Sequence, residues 1–267
     1  MGDRQKHRIS WTPEAIARFW NSYESTGGMD LWHFSRQRGR SLLRHVRRHV
    51  DYADPVLDLG CGSGHLLQML VDNRRRSFAA DVGSTGLEML TKRHATNRFF
   101  QGAKLMPAPD VVPFDNHSVA TVFLLETIEH LLPETLDRLL AETARVLAYW
   151  GTLVITTPYR ENLDESEIVC SACGCAFHKT QHISSFDEKG VSALVEKAGL
   201  SVINVSAPLL LPDPKIWIRA QVTPARVSIG CPECGAACRS PNHSLFARGA
   251  GLVAELKHLV CIARKTK

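Results

Sequence analysis

The sequence predicts an α/β chain built on a doubly wound, mostly parallel sheet of seven strands, and three observations predict it. Short apolar runs alternate with amphipathic helical segments along most of the chain. One run, Val56-Leu57-Asp58-Leu59, passes straight into a turn of alternating glycines, Gly60, Gly62 and Gly64, and then into a helix. A second run, Ser77-Phe78-Ala79-Ala80-Asp81, ends in an acid.

Each element has its own signal. Residues 11–50 read as helical: Thr12 caps, Pro13 fits the first turn, and Ile16, Ala17, Phe19 and Trp20 continue the run until Gly27-Gly28 breaks it. Strands are expected at Val56–Leu59, Phe78–Ala80, Thr121–Leu125, Leu153–Thr156, Leu200–Val205 and Leu259–Ala263, with a weak one near Phe99–Gln101. A helix from Pro133 to Leu147 places Leu136, Leu139, Leu140, Thr143 and Leu147 on one side. Another, near Asp187 to Ala198, stops at Gly199.

Composition narrows the class. With 267 residues, 44% of them hydrophobic, the chain can bury a core. No apolar run reaches the length of a membrane span, and residues 1–10 lack a signal-peptide core, so a cytoplasmic location is expected. The net charge of +5 is uneven. Arg36, Arg38, Arg40, Arg44, Arg47 and Arg48 share one acid-free stretch in which Leu42, Leu43, Val46 and Val50 keep helical spacing. That face is either solvated or a surface for an anionic partner. Arg74-Arg75-Arg76 lies before the second strand, on the edge opposite the expected ligand.

The glycine turn carries the chemistry. Glycines remove side chains where backbone approaches a ligand, and the new helix offers unpaired N–H groups. Asp58, just before the turn, suits a ligand that brings positive charge and not a diphosphate. Asp81, about 20 residues beyond the turn, suits the ribose hydroxyls of a nucleoside.

Val56-Leu57-Asp58-Leu59-Gly60-Cys61-Gly62-Ser63-Gly64 resembles the first motif of the class I S-adenosylmethionine-dependent methyltransferases. The resemblance continues through Pro113–Ser118, Leu125–Leu131, Arg145–Leu147 and Gly151–Pro158, and runs from about Val56 to about Val205. It implies a Rossmann-like sheet whose last strand is antiparallel at the edge, and N-terminal helices, residues 1–50, lying over the cleft as a lid. It also implies that Asp58, Gly60, Cys61, Gly62, Asp81, Val82 and Glu126 bind S-adenosylmethionine. The chain departs from the family pattern at Val119-Ala120, at Tyr149-Trp150, and at Gly102-Ala103, where an acid is usual.

The remaining domain, residues 51–267, carries two insertions at 159–186 and 206–258, both with cysteines. Cys170, Cys173, Cys231 and Cys234 form two Cys-x-x-Cys-Gly units, whose spacing lets two thiolates grip one ion. Both insertions leave from the carboxyl rim of the sheet, so one shared structural zinc is expected. The rival partition has two local sites, one adding His178 and His182, the other Cys238 and His243. Cys61 and Cys261 read as buried small residues.

Methyl transfer is mostly a matter of in-line positioning, and a hydroxyl acceptor benefits from a base. His130, in Glu129-His130-Leu131 after the fourth strand, is the candidate base, with a loop-capping histidine as the alternative and His178 and His182 as rivals. The expected acceptor is a small molecule or glycan. A nucleic-acid methyltransferase is the second reading, although Glu126-Thr127-Ile128 stands where an Asn-Pro-Pro-Tyr base-reading motif would. The third is a non-catalytic scaffold with the same fold.

Overall fold

The computed structural model describes residues 5–24, 31, 33–222, 228–239 and 257–266. Its centre is a seven-stranded sheet. In chain order its strands are β2 (Val56–Leu59), β3 (Ser77–Asp81), β4 (Phe100–Leu105), β5 (Val119–Leu125), β6 (Leu147–Pro158), β9 (Ser201–Ser206) and β12 (His258–Arg264). Their spatial order is β4-β3-β2-β5-β6-β12-β9. The smaller strands are β1 (His7–Arg8), β7 (Glu167–Val169), β8 (Cys175–His178), β10 (Ser228–Gly230) and β11 (Ala237–Arg239). The helices are α1 (Pro13–Glu24), α2 (Phe34–Val46), α3 (His65–Asp72), α4 (Ser84–His94), α5 (Pro133–Val146), α6 (Glu188–Lys197) and α7 (Pro214–Val222).

Strand alternation builds two cores. Leu57, Leu59, Val122 and Leu124 face the layer that holds Leu136, Leu139 and Leu140 of α5. Val56, Phe123, Val154 and Ile262 face the layer with Leu42, Leu43 and Val46 of α2. This is the period of two that a sheet covered on both sides requires. Leu147, which the helical spacing groups with α5, is already the first residue of β6.

One expectation is corrected. The last strand is antiparallel, but it is not at the edge: β12 pairs with both β6 and β9, and β9 is the edge. Side-chain chemistry decides this. Leu259 through Ala263 is apolar at every position and buried, so it needs cover on both faces and both sides. β9 alternates exposed Ser201 and Ile203 with half-buried neighbours, a pattern that tolerates an edge.

Helices α1 and α2 belong to two neighbourhoods. α2 packs on α3 and the sheet. α1 instead joins the cysteine insertions: Phe19 is fully buried among Ile168, Cys170, Phe177, Ile229 and Cys231. The Ser22 hydroxyl accepts the Gly230 N–H at 2.7 Å, and Arg18 Nε donates to the Pro232 carbonyl at 2.8 Å. β1 extends the small β7–β8 sheet. Gly27-Gly28 and His243 lie outside the described residues.

Arg40, Arg44, Arg47 and Arg48 are exposed, while Arg38 is buried and donates to Gln37 Oε1. Arg75 and Arg76 pair with Asp54 at the amino end of the strands, which gives that basic turn a local role. No described helix is long and apolar enough to cross a membrane.

Candidate active site

The carboxyl ends of β2, β3, β5 and β6 open onto one cleft of about 2100 Å³, walled on the far side by α1 and α2. Its cofactor-like end is built by backbone. Gly60, Gly62 and Gly64 have φ of 73°, 47° and 72°, a region that a side chain enters only with strain. At Gly64 an added Cβ would lie 2.1 Å from Leu90 Cδ2, whereas at Gly62 it would meet open space. Gly64 is therefore needed for helix–turn packing, and Gly62 for its conformation and open approach.

The two acids at the strand ends have different jobs. Asp81 lines the cleft, and its carboxylate accepts the N–H groups of Gly62 at 2.8 Å and Gly83 at 2.9 Å. Asp58 is buried beneath the turn, where Oδ2 accepts the Leu67 N–H of α3 at 3.1 Å. It does not line the cleft, and its carboxylate holds α3 under the turn. Burial raises the Asp58 carboxyl to about 7; the Leu67 bond opposes this and Asp81 adds to it.

Cys61 lines the cleft and also packs with Leu67, Leu87 and Leu90. Val82 follows Asp81 and presents an exposed apolar side chain to the same end. Ala103, like Phe99 and Phe100, packs against the cluster that holds Leu67, Leu87 and Leu90. Asp110, an acid that does line this wall, is paired with Arg138. The departures at Val119-Ala120 and Tyr149-Trp150 sit at the amino ends of β5 and the long arm of β6, away from the cleft. Trp150 is exposed there, and its backbone N–H donates to the Lys265 carbonyl.

The other end of the cleft is built by side chains from three segments. Glu126 follows β5 at a φ of 48°; Oε2 meets His258 Nδ1 at 3.1 Å. Burial would raise the Glu126 carboxyl, but His258 holds it below its ordinary value. Glu129 is 1% exposed, and both its carboxylate oxygens lack a hydrogen-bond partner. Burial, with Glu126 beside it, pushes its carboxyl well above the ordinary range. His130 is pushed down to about 3, chiefly by burial. It is neutral at pH 7 but a weak proton acceptor, which counts against a base that should titrate near the working pH.

His178 and His182 arrive from the first insertion. They stack at 4.5 Å and share Glu161, at 3.3 Å from His178 Nε2 and in closer contact with His182 Nδ1. Burial alone would raise Glu161, yet the two histidines hold it well below its usual range. Gln181 locks the segment in place: its amide donates to the His130 carbonyl at 2.9 Å and its Oε1 accepts the Trp20 indole N–H at 2.7 Å. Glu161 and Gln181 escaped the sequence reading, because neither belongs to a spaced motif.

Away from this end, Cys170, Cys173, Cys231 and Cys234 converge, with all four sulfurs within 4.8 Å of one another. The Cys170–Cys234 and Cys173–Cys231 separations are both 3.7 Å. A tetrahedral zinc with Zn–S of about 2.3 Å has S···S edges of about 3.8 Å, so the donor set fits that ion. The two units are internally alike. The Gly174 and Gly235 N–H groups bond the Cys170 and Cys231 carbonyls, each at 2.9 Å, and both glycines have positive φ. His178 and His182 group with Glu161 and not with the thiols, so the described residues assemble the shared set and not the two local ones.

Comparison with known proteins agrees with this geometry. Residues 57–155 match a family model described as methyltransferase domain. That stretch is similar to a methyltransferase domain, and it spans the glycine turn, Asp81 and the strands that open onto the cleft. A relative in Mycobacterium tuberculosis (strain H37Rv), named as a probable S-adenosylmethionine-dependent methyltransferase, is 31% identical over 109 residues, 40% of this chain and 37% of the relative. The aligned part thus spans little more than a third of that relative's length.

Among solved structures, the Burkholderia thailandensis 1,6-didemethyltoxoflavin-N1-methyltransferase, with its substrate and S-adenosylhomocysteine bound, superimposes with a TM-score of 0.60. It is 18% identical, and the match covers 99% of this chain and 94% of that one. A Methanosarcina mazei S-adenosylmethionine-dependent methyltransferase gives 0.53 at 14% identity, over 83% and 96% of the two chains. At these identities the likeness is one of fold.

Proposed function

We propose that this protein transfers the methyl group of S-adenosylmethionine to a hydroxyl of a small molecule or glycan. The observation that carries the proposal is the shared cleft. A glycine turn and Asp81 face one end, and a buried cluster of carboxylates and imidazoles faces the other. In this reading Asp81 takes the ribose hydroxyls, exchanging part of its hold on the glycine turn for them. Gly60, Cys61 and Gly62 pass close to the amino acid moiety, Val82 lies on the adenine, and Glu126 borders the sulfonium. Asp58 acts through the turn.

The acceptor oxygen attacks the methyl carbon in line with the C–S bond. That bond breaks, its electron pair stays on sulfur, and S-adenosylhomocysteine leaves. The hydroxyl proton passes to a group at the acceptor end, where His130 stands, and burial makes it a weak acceptor. Binding would supply most of the rate through alignment of the reacting atoms. The four cysteines would hold a structural zinc, with all four positions filled by protein and none left for water. Its work is to fix α1 and the two insertions as one cap over the acceptor end.

The test is transfer of isotopic methyl from S-adenosylmethionine to three acceptor pools: hydroxylated metabolites and oligosaccharides, amines, and RNA. Label in the hydroxylated pool with matching release of S-adenosylhomocysteine is expected. Label confined to RNA would transfer the role of acceptor surface to Arg40, Arg44, Arg47 and Arg48.

A further inference from the structure

We propose that Glu129, His130 and His182 form a divalent transition-metal site at the acceptor end of the cleft, separate from the four cysteines. One donor atom from each residue lies within 4.8 Å of the other two. All three residues border the cleft.

Hydrogen bonding leaves the right atoms free. His130 Nδ1 meets the Gln181 carbonyl at 3.4 Å. A carbonyl only accepts, so Nδ1 carries the proton and Nε2 keeps its lone pair. That Nε2 lies 3.9 Å from Glu129 Oε1. His182 Nδ1 contacts Glu161 Oε2, so its proton points at the carboxylate and its Nε2 is the nitrogen left over. A carbonyl behind one imidazole and a carboxylate behind the other is the outer shell that orients metal-bound histidines.

Glu129 supplies the second, independent observation. Both its oxygens are buried without a partner. A buried carboxyl without a partner is costly in either protonation state, and a cation that replaces its proton would satisfy both oxygens. At bond lengths of about 2.0–2.2 Å, one ion spans ligands up to about 4.3 Å apart, so the 3.9 Å pair needs little adjustment.

His178 belongs to the surroundings of this site and not to its ligands. Its Nδ1 accepts the N–H groups of Thr180 at 3.3 Å and His182 at 3.2 Å. The ring proton therefore sits on Nε2, facing Glu161 at 3.3 Å, and no lone pair remains for a metal. His178 and Glu161 together hold His182 in place.

Two imidazoles and one carboxylate suit zinc, iron, cobalt or nickel better than magnesium or calcium. They also leave coordination positions open to the cleft. The site does not depend on the methyl-transfer reading, but its use does: on that reading, an acceptor hydroxyl bound to the ion loses its proton more easily, the proton leaves to solvent in the cleft, and His130 serves as a ligand in place of a base.

The test is cobalt titration of the full chain after dialysis against dipicolinate. Absorbance separates thiolate-bound cobalt, which gives a near-ultraviolet charge-transfer band, from nitrogen- and oxygen-bound cobalt, which gives visible ligand-field bands without it. Wild type should take up one equivalent of each kind. Glu129→Gln and His182→Ala should each lose the nitrogen–oxygen equivalent while circular dichroism stays unchanged. Cys170→Ser should lose the thiolate bands, and the nitrogen–oxygen bands should weaken with them, because His182 stands on the insertion that the cysteines fasten. If His182→Ala fails to fold, the near-isosteric Glu129→Gln decides. A wild-type chain without the nitrogen–oxygen bands, or bands that persist in a folded Glu129→Gln variant, overturns the proposal. S-adenosylhomocysteine binding in the same samples reports separately on the cofactor reading.

Discussion

The two ends of the cleft are made by opposite means. At the glycine turn the ligand-facing surface is backbone, the turn carries no side chains of its own at Gly60, Gly62 and Gly64, and both oxygens of Asp81 are engaged. At the acceptor end the surface is side chains, drawn from residues 126–130, 161 and 178–182, and buried polar atoms of Glu126 and Glu129 have no partner. A backbone site is complete when the fold is complete. A side-chain site with unmet valences is complete only when something else arrives. The difference implies that the first end binds on its own and that the second depends on what the cap holds.

The largest effect expected is loss of the cap. Stripping zinc with a strong chelator, or Cys170→Ser, should unfasten α1 from Phe177, Ile229 and Cys231, because structural zinc binding is itself folding free energy. Limited proteolysis should then cut within residues 159–186. S-adenosylhomocysteine binding should survive if the two ends are independent; its loss would break the comparison.

Next is Gly64→Ala, which joins left-handed strain to a collision with Leu90 and should cost roughly 3 kcal/mol or more in urea unfolding. Gly62→Ala meets open space, so its cost should be that of conformation alone, about 1 kcal/mol. Equal losses at the two positions would contradict the assignment of Gly64 to packing.

A finer effect concerns Asp58. Its carboxyl stands near 7 in the folded chain against an ordinary 3.8. Between those values the unfolded state binds fewer protons, so the stability present below about pH 4 is lost as pH rises through about 7. The loss is at most on the order of 4 kcal/mol. Asp58→Asn keeps an oxygen for the Leu67 N–H and should flatten the slope relative to wild type between pH 5 and pH 8. An unchanged slope would mean that Asp58 is not the group that titrates.

How much of this was legible follows the same division. β2 was readable to the residue, and Asp81 was found from its distance to the glycine turn, because both are local patterns. The burial of Leu136, Leu139, Leu140 and Thr143 followed from helical spacing. The place of β12 was missed, although its unbroken apolar run distinguished it from the polar-punctuated β9. The hold of Asp58 on α3 was not legible, because a strand-end acid looks the same whether or not it also reaches a helix. Glu129, Glu161 and Gln181 gain their roles only from contacts across 17 to 161 residues of sequence, which no local motif reveals.

The central claim, a backbone-built cofactor end that works apart from the side-chain end, is tested most directly by calorimetric titration with S-adenosylhomocysteine. Wild type and Glu129→Gln should bind one equivalent with equal affinity. Asp81→Ala, deprived of charge-assisted bonds of about 1.5–3 kcal/mol, should bind roughly 10- to 100-fold more weakly. Wild-type affinity in Asp81→Ala, or no binding by any of the three, would contradict the account.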